Sequence, residues 1–381
     1  MRILFYLGIG GIILFEIANI YFIMPMPGSQ KLDSLELAYF LSHWRWMFRI
    51  LFGVLIAAGL LPAFRASWWK TGLALSLAAL VYNQSNFEMA ADAMFLQPRL
   101  LTTADIKSNL VPPEKLVLGI ELNGETKAYP IQFLGYHHQV LDTVGGDPVM
   151  VTYCTVCRSG RVYSPKVKGM PETFRLVGMN HFNAMFEDVT THSWWRQATG
   201  EAVAGPLKGN SLPEIPSTQT TLQQWVALYP NTLIMQRDPD FAPEYDSLHT
   251  YDLGIGRGKL TGTDTISWAE KSWIVGIEIN HQKAKAFDWN LLKRERIIQD
   301  MVGDQPIVLI LASDQLSFTA FQRPDTAAKF VLQNDTLYFG RQRWDLLGRA
   351  ISPTEGDLHK IPAYQEFWHS WRTFHPFTTR Y

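Results

Sequence analysis

Glu114-Lys-Leu-Val-Leu-Gly-Ile-Glu-Leu-Asn-Gly-Glu-Thr-Lys-Ala-Tyr-Pro130 is echoed later in the chain by Glu270-Lys-Ser-Trp-Ile-Val-Gly-Ile-Glu-Ile-Asn-His-Gln-Lys-Ala-Lys-Ala-Phe-Asp288. Each copy opens on an alternating apolar run, Leu116 to Leu122 and Ile274 to Ile279, the period of a half-buried strand. In the first copy Asn123-Gly124 follows, the pair that best tolerates the positive φ angles of a two-residue hairpin turn, and a second short strand ends at Tyr129. The echo continues downstream. His137 to Asp142 answers Glu295 to Asp300, and Gly145-Gly-Asp-Pro-Val-Met-Val151 answers Gly303-Asp-Gln-Pro-Ile-Val-Leu309, which places Pro148 158 positions before Pro306. Trp195 to Ala202 resembles Trp344 to Ala350, and Trp225 to Thr232 resembles Trp371 to Thr378. A period of this length is domain-sized, far beyond a solenoid repeat, and predicts a duplicated half.

Val149 to Tyr153 and Ile307 to Leu311 are apolar and β-branched and read as buried strands; Thr173 to Val177, Thr232 to Met235 and Phe330 to Phe339 add further strand signals. Helical patterns are fewer, at Gln132–Leu141, Leu222–Ala227, Trp289–Gln299 and Tyr364–Trp371. The expected fold is an α+β, strand-dominated soluble domain built from an internal repeat, with about three transmembrane helices before it. The boundaries expected are a membrane region over 1–83, a first repeat half over 84–260 and a second over 261–381.

The membrane region stands out because the apolar residues, 47% of the chain, concentrate there. Spans are expected near 4–24, 48–64 and 68–83. The first holds one charged residue, Glu16, and is long enough for a hydrocarbon layer of about 30 Å. Trp68, Trp69 and Lys70 would anchor the shorter third segment at the interface. Pro25-Met-Pro-Gly28 ends the first span, and Ser34 to Phe48 suits an amphipathic interfacial helix. A lone Arg2 and the lack of a small-x-small cleavage site favour a retained span over a cleaved signal peptide. Arg2, Arg65 and Lys70 on one side balance Lys31, Arg45 and Arg49 on the other, so charge alone leaves the orientation open. A net charge of −1, with no basic tract and no phosphate-binding glycine loop, argues against a nucleic-acid partner.

Candidate chemistry centres on the only two cysteines, Cys154 and Cys157, in Val151-Thr-Tyr-Cys-Thr-Val-Cys-Arg-Ser-Gly160. A CxxC can cycle between dithiol and disulfide or ligate a soft metal, and there is no third cysteine to complete a four-thiolate zinc site. Arg158 next to Cys157 favours a thiolate. A turn and a strand follow, where a thioredoxin-like motif would have a helix. Copper or zinc would need further ligands; His137 is the first candidate, with His138, His181 and Met185 behind it. Aligning the repeats sets Ala312 opposite Cys154, Gln315 opposite Cys157 and Glu295 opposite His137, so only one half keeps the candidate site.

Lys127-Ala-Tyr-Pro130, the His137 to Asp142 turn, Tyr153-Cys-Thr-Val-Cys157, the set Asn183, Asp188, Thr191, Ser193, Trp195 and Gln197, and Thr199 to Gly209 occur in this order. In that order and spacing, Glu114 to Thr232 resembles the bacterial family of unknown function DUF3179. The chain departs from the family pattern at His138, where an acidic residue is usual, and at Thr155 and Arg158, which replace Pro and Gly. The resemblance implies a protein held in the bacterial cytoplasmic membrane with an extracytoplasmic soluble domain. Selenocysteine at a Cys position in some members implies redox use of the motif.

Two functions follow as expectations. One is a membrane-anchored extracytoplasmic protein whose Cys154 and Cys157 carry thiol redox chemistry or bind copper or zinc, Cys154 attacking and Cys157 resolving, with a redox or membrane-protein partner. The other is a non-catalytic binding or assembly module in which the pair is a structural disulfide. In either case the N-terminal helices meet the lipid bilayer.

Overall fold

The computed structural model describes residues 1–381 apart from 257, 280–281 and 352–355. Residue 257 of the glycine-rich run 254–258, and residues 280–281 of the second echoed segment, therefore lie outside the described residues. Two compact units emerge, one of residues 1–96, 172–196 and 201–211, the other of residues 97–171, 197–200 and 212–381.

The first unit opens with helices α1 (Arg2–Tyr21), α2 (Leu35–His43), α3 (Arg45–Ala66) and α4 (Trp68–Asn83). Of these, α1 and α3 are long and apolar enough to cross a membrane. With 16 residues, α4 rises only about 24 Å, less than a hydrocarbon layer of about 30 Å. Glycines bring α1 and α3 together, since a Cβ on Gly59 would stand 2.3 Å from the Phe5 nitrogen and one on Gly8 2.7 Å from Ile56 Cγ1. These contacts join the start of α1 to the end of α3, so the two run antiparallel.

No single amphipathic helix spans Ser34 to Phe48. The chain breaks at Trp44, and α3 already starts at Arg45. The charge that seemed to bound the second span is neutralised inside the bundle. Arg49 donates twice to Glu16, at 2.7 and 3.0 Å, and once to Asn86 Oδ1 at 2.7 Å; Asn86 Nδ2 donates to Glu16 Oε2 at 2.9 Å. Beyond the helices, Phe174–Asn180, Asn183–Asp188, Trp194–Arg196 and Ala202–Ala204 form an antiparallel sheet in chain order.

The second unit mixes helix and strand in several small sheets. In the largest, Leu116–Leu122 lies between Glu125–Pro130 and Ser217–Thr221, and Leu233–Met235 joins Glu125–Pro130 in parallel. In another, Trp273–Ile279 lies between Lys283–Asp288 and Ala363–Phe367, and Thr379–Arg380 joins Lys283–Asp288 in parallel. Helix Ile131–His137 leads into the antiparallel ribbon Gln139–Val144, Asp147–Cys154 and Ser159–Tyr163. Helix Trp289–Glu295 leads likewise into Ile297–Val302, Gln305–Leu311 and Phe318–Gln322. A Cβ on Gly119 would stand 2.3 Å from the Trp225 ring, and one on Gly276 2.3 Å from Trp371; the bare backbone lets each indole lie flat on its strand. The two indoles donate to Thr232 and Thr378.

Local pattern misplaces several boundaries. The helices expected to reach Leu141 and Gln299 stop at His138 and Arg296, both left-handed with φ 61°, because the next residues are taken by strand pairing. Tyr364 to Phe367 is strand rather than helix, paired with Trp273–Ile277, and the helix begins at Trp368. Phe330 to Phe339 contains a hairpin, Val331–Gln333 against Thr336–Phe339, turned by Asn334 and Asp335 at φ 49° and 58°.

Candidate functional site around Cys154 and Cys157

Cys154 is the last residue of strand Asp147–Cys154 and pairs with Ser159, so Thr155 to Arg158 form a four-residue hairpin turn holding Cys157. The strand forms because Val149-Met-Val-Thr-Tyr153 is apolar, β-branched and aromatic, and it is buried throughout. Arg158 closes the turn at φ 55°, an uncommon conformation for a residue with a side chain. Gln197 stitches the two strands just behind the cysteines. Its amide nitrogen donates to Thr152 Oγ1 and the Ser159 carbonyl at 3.1 and 3.0 Å, and its oxygen accepts from Ser159 Oγ at 2.7 Å.

Turns ordinarily lie on the surface, where water satisfies their backbone. This one is buried: Cys154 and Cys157, both thiols, are 0% exposed, and Thr155, Val156 and Arg158 are buried with them. Its carbonyls are satisfied by protein. Tyr251 Oη donates to Thr155 O at 2.9 Å, His369 Nε2 meets Val156 O at 3.1 Å, and Phe367 N donates to Cys157 O at 2.8 Å. Because a carbonyl can only accept, that His369 nitrogen carries the proton. Two of these three donors, Phe367 and His369, lie more than 200 residues further along the chain.

The electrostatics are unusual. Arg158 is fully buried, and its guanidinium donates to Gln365 Oε1 at 3.0 Å, Tyr251 O at 3.0 Å and Asp252 O at 2.8 Å, so these bonds all end on neutral acceptors. Its carbon lies 3.6 Å from the Trp273 ring centre and 5.0 Å from that of Tyr251. Burial raises the carboxyl of Asp252 above its usual value, and one of its oxygens, Oδ1, has no hydrogen-bond partner. Lys271 is pulled below its ordinary value by burial and drawn back up by Asp264 and by Cys157, which places its charge in the field of that sulfur. Burial pushes the Tyr153 hydroxyl up to about 12 and pulls His369 down.

Next along the hairpin, Arg161 is 2% exposed and donates to Glu366 Oε1 at 2.5 Å; Glu366 is 1% exposed and also accepts from Ser370. Burial works against the Arg161 charge, and Glu366 together with Tyr364, Glu214 and Tyr163 more than restores it.

The other sequence candidates fall in different places. His137, fully buried, ends its helix with Nε2 2.6 Å from the Tyr245 hydroxyl and its ring against Tyr136 and Phe241. His138 caps that helix in the left-handed conformation; its backbone carbonyl accepts from Tyr153 N at 2.9 Å, and burial pulls its imidazole down to about 4. His181, in a turn at φ 51°, and Met185, in a buried strand, belong to the first unit. Among the described residues, no group of three or more His, Cys, Asp or Glu side chains is placed to hold a metal ion.

Asp188 is a buried hub in the first unit that accepts from Thr191, Ser193 N and Trp195 Nε1, while Gln197 supports the cysteine hairpin in the second. A family model described as a protein of unknown function, DUF3179, matches residues 95–378. The chain belongs to this family. The match covers nearly all of the strand-rich region and leaves the apolar helices α1, α3 and α4 outside it. The comparisons returned no match among curated proteins and none among solved structures.

Sequence reasoning singled out the two cysteines and Arg158 and named Gln197 within the family-like set, but missed the other residues that hold the turn: Tyr251, Gln365, Phe367 and His369. Gln365 also accepts from Gln219 at 2.8 Å.

Proposed function

We propose that this protein is a membrane-anchored, extracytoplasmic member of DUF3179 whose Cys154 and Cys157 interconvert between dithiol and disulfide. The observation that carries the reading is the cationic setting of a buried thiol pair: the guanidinium of Arg158, in the same turn, is buried and gives its described hydrogen bonds to neutral acceptors, with the Asp252 carboxyl also in its field. An anion nearby is the natural complement of such a cation, and the thiolate is the reactive form of cysteine. In this reading Cys157, which shares the turn with Arg158, is the attacking thiol and Cys154, at the end of the strand, the resolving one, the reverse of the assignment from motif order. Copper or zinc is less well supported, because soft-metal sites need ligands beyond two thiolates and the described residues gather none.

The membrane part of the proposal is a three-helix anchor. Ala74 and Ala78 of α4 pack against the Phe5, Ile9 and Ala63 cluster, and Asn86 just beyond α4 bonds to Glu16 and Arg49. With Arg49 neutralised by Glu16, the uncompensated cations Arg2, Arg65 and Lys70 outweigh Lys31 and Arg45, which favours a cytoplasmic N-terminus. After three spans, everything beyond Asn83 then lies outside the cytoplasm, where disulfides persist.

We also infer that the two repeat halves, 84–260 and 261–381, descend from one duplicated unit. Their matching strand–strand–helix–strand–strand order, the Gly119–Trp225 and Gly276–Trp371 contacts and the shared left-handed caps support this. In this reading one half kept the thiols, and the other supplies Phe367 and His369, two of the three donors to the carbonyls of their turn.

A second reading, a structural disulfide in a binding or assembly module, draws support from the burial of both sulfurs. Thiolate absorbance near 240 nm against pH separates the two. The redox reading expects one thiol to titrate below the ordinary value of about 8.5, and Lys271→Met to raise it. Titration at or above about 8.5, unchanged in Lys271→Met, overturns it.

A further inference from the structure

The burial of the thiol pair constrains what can oxidise it. Thiol–disulfide exchange with a protein partner needs a sulfur open to in-line attack and room for a mixed disulfide between two chains. Neither sulfur here is accessible, both being 0% exposed. Nor is the turn hinged to swing outward. Its three successive carbonyls are held by Tyr251, His369 and Phe367, and Arg158 is tied to Gln365 and to the backbone of Tyr251 and Asp252. The hairpin behind it is stitched by Gln197.

A water-sized oxidant escapes these restrictions. It needs only transient gaps in the packing, no mixed disulfide and no displaced turn. Resting on the redox reading above, we propose that the oxidant of Cys154 and Cys157 is a small hydroperoxide of the size of hydrogen peroxide rather than a protein disulfide. The Cys157 thiolate attacks one peroxide oxygen, the O–O bond breaks, and the departing hydroxide takes a proton to leave as water, which makes Cys157 a sulfenic acid. The Cys154 thiol then attacks that sulfur, the S–O bond breaks, and the hydroxyl leaves with the Cys154 proton as a second water. One peroxide is reduced to two waters, and two thiols are oxidised to one disulfide.

The test uses the full-length chain in detergent, reduced and freed of reductant, and exposed at equal concentration to hydrogen peroxide, to oxidised glutathione and to an oxidised thioredoxin-type protein. Disulfide formation is read by mass after rapid alkylation, with Cys154→Ser trapping the sulfenic acid on Cys157. The proposal expects peroxide to oxidise the pair at least tenfold faster than either disulfide. Gln365→Ala, which loosens the turn, should raise the glutathione rate more than the peroxide rate. If the protein disulfide matches or outruns peroxide, the hydroperoxide assignment falls while redox use of the pair stands. If none of the three oxidises it and the unfolded chain is oxidised normally, the redox reading falls as well.

Discussion

Acidification should destabilise this fold through His138, and the effect can be worked out in advance. The imidazole is 4% exposed and pulled by burial from 6.5 down to about 4. For a base held neutral in the fold, the unfolded chain takes up a proton first. Stability is thus unaffected at pH 7.5, falls as the pH drops below about 6.5, and stops falling on this account below about 4. From pH 7.5 to 5 the unfolded state gains about 2 kcal/mol over the folded state from this group alone. That is a sizeable part of a typical stability of about 5–15 kcal/mol. The comparison protein is His138→Asn, since asparagine tolerates the left-handed backbone found at this position. Urea denaturation of the detergent-solubilised chain, followed by tryptophan fluorescence at pH 7.5 and 5, should show the parent losing about 2 kcal/mol more than the variant. His369, also pulled down by burial, is common to both proteins and cancels. An equal loss in parent and variant would refute the claim that His138 is held neutral.

Three further outcomes follow from the packing. Glu366→Ala leaves the buried Arg161 with only the longer contact to Glu214 at 3.8 Å and should cost up to about 3–5 kcal/mol in the same denaturation assay, whereas replacing Arg161 and Glu366 by apolar residues of similar volume should cost much less. Gly119→Val and Gly276→Val each push side-chain atoms into an indole ring, and each should destabilise by about 1–3 kcal/mol or more; a neutral result at either site would mean that its tryptophan can move aside. Glu16→Ala strands Arg49 and Asn86 within the helical bundle and should lower the thermal midpoint in detergent, with partial recovery in the double variant Glu16→Ala with Arg49→Leu.

What the sequence disclosed, and what it hid, follows the reach of each interaction. The Asn123-Gly124 turn, the buried strand through Val149 to Tyr153 and the helix that begins at Trp289 are written in neighbouring residues, so they were legible. Tyr364 to Phe367 was not, because its aromatic pattern fits helix or strand and only pairing with Trp273–Ile277 decides. The helix ends at His138 and Arg296 were missed for a related reason, since neither is a glycine and both are forced into the left-handed conformation by the strand that follows. At the site, the CxxC and Arg158 lie together in sequence and were found together. The donors that hold them, Tyr251, Phe367 and His369, are about 100 to 210 residues away and come into reach only through tertiary packing. His181 and Met185, close to the motif in sequence, belong to a different compact unit.

The central claim is that Cys154 and Cys157 are a working redox pair, and its most direct test is a titration of the intact chain in graded thiol redox buffers, brought to equilibrium both from the reduced and from the peroxide-oxidised chain, with the dithiol fraction read by mass after alkylation. A reversible two-electron transition at a midpoint between about −270 and −120 mV, the range of thiol oxidoreductases, is the predicted result. A midpoint below about −300 mV, as in structural disulfides, or a pair that never forms a disulfide in the folded chain, would contradict it.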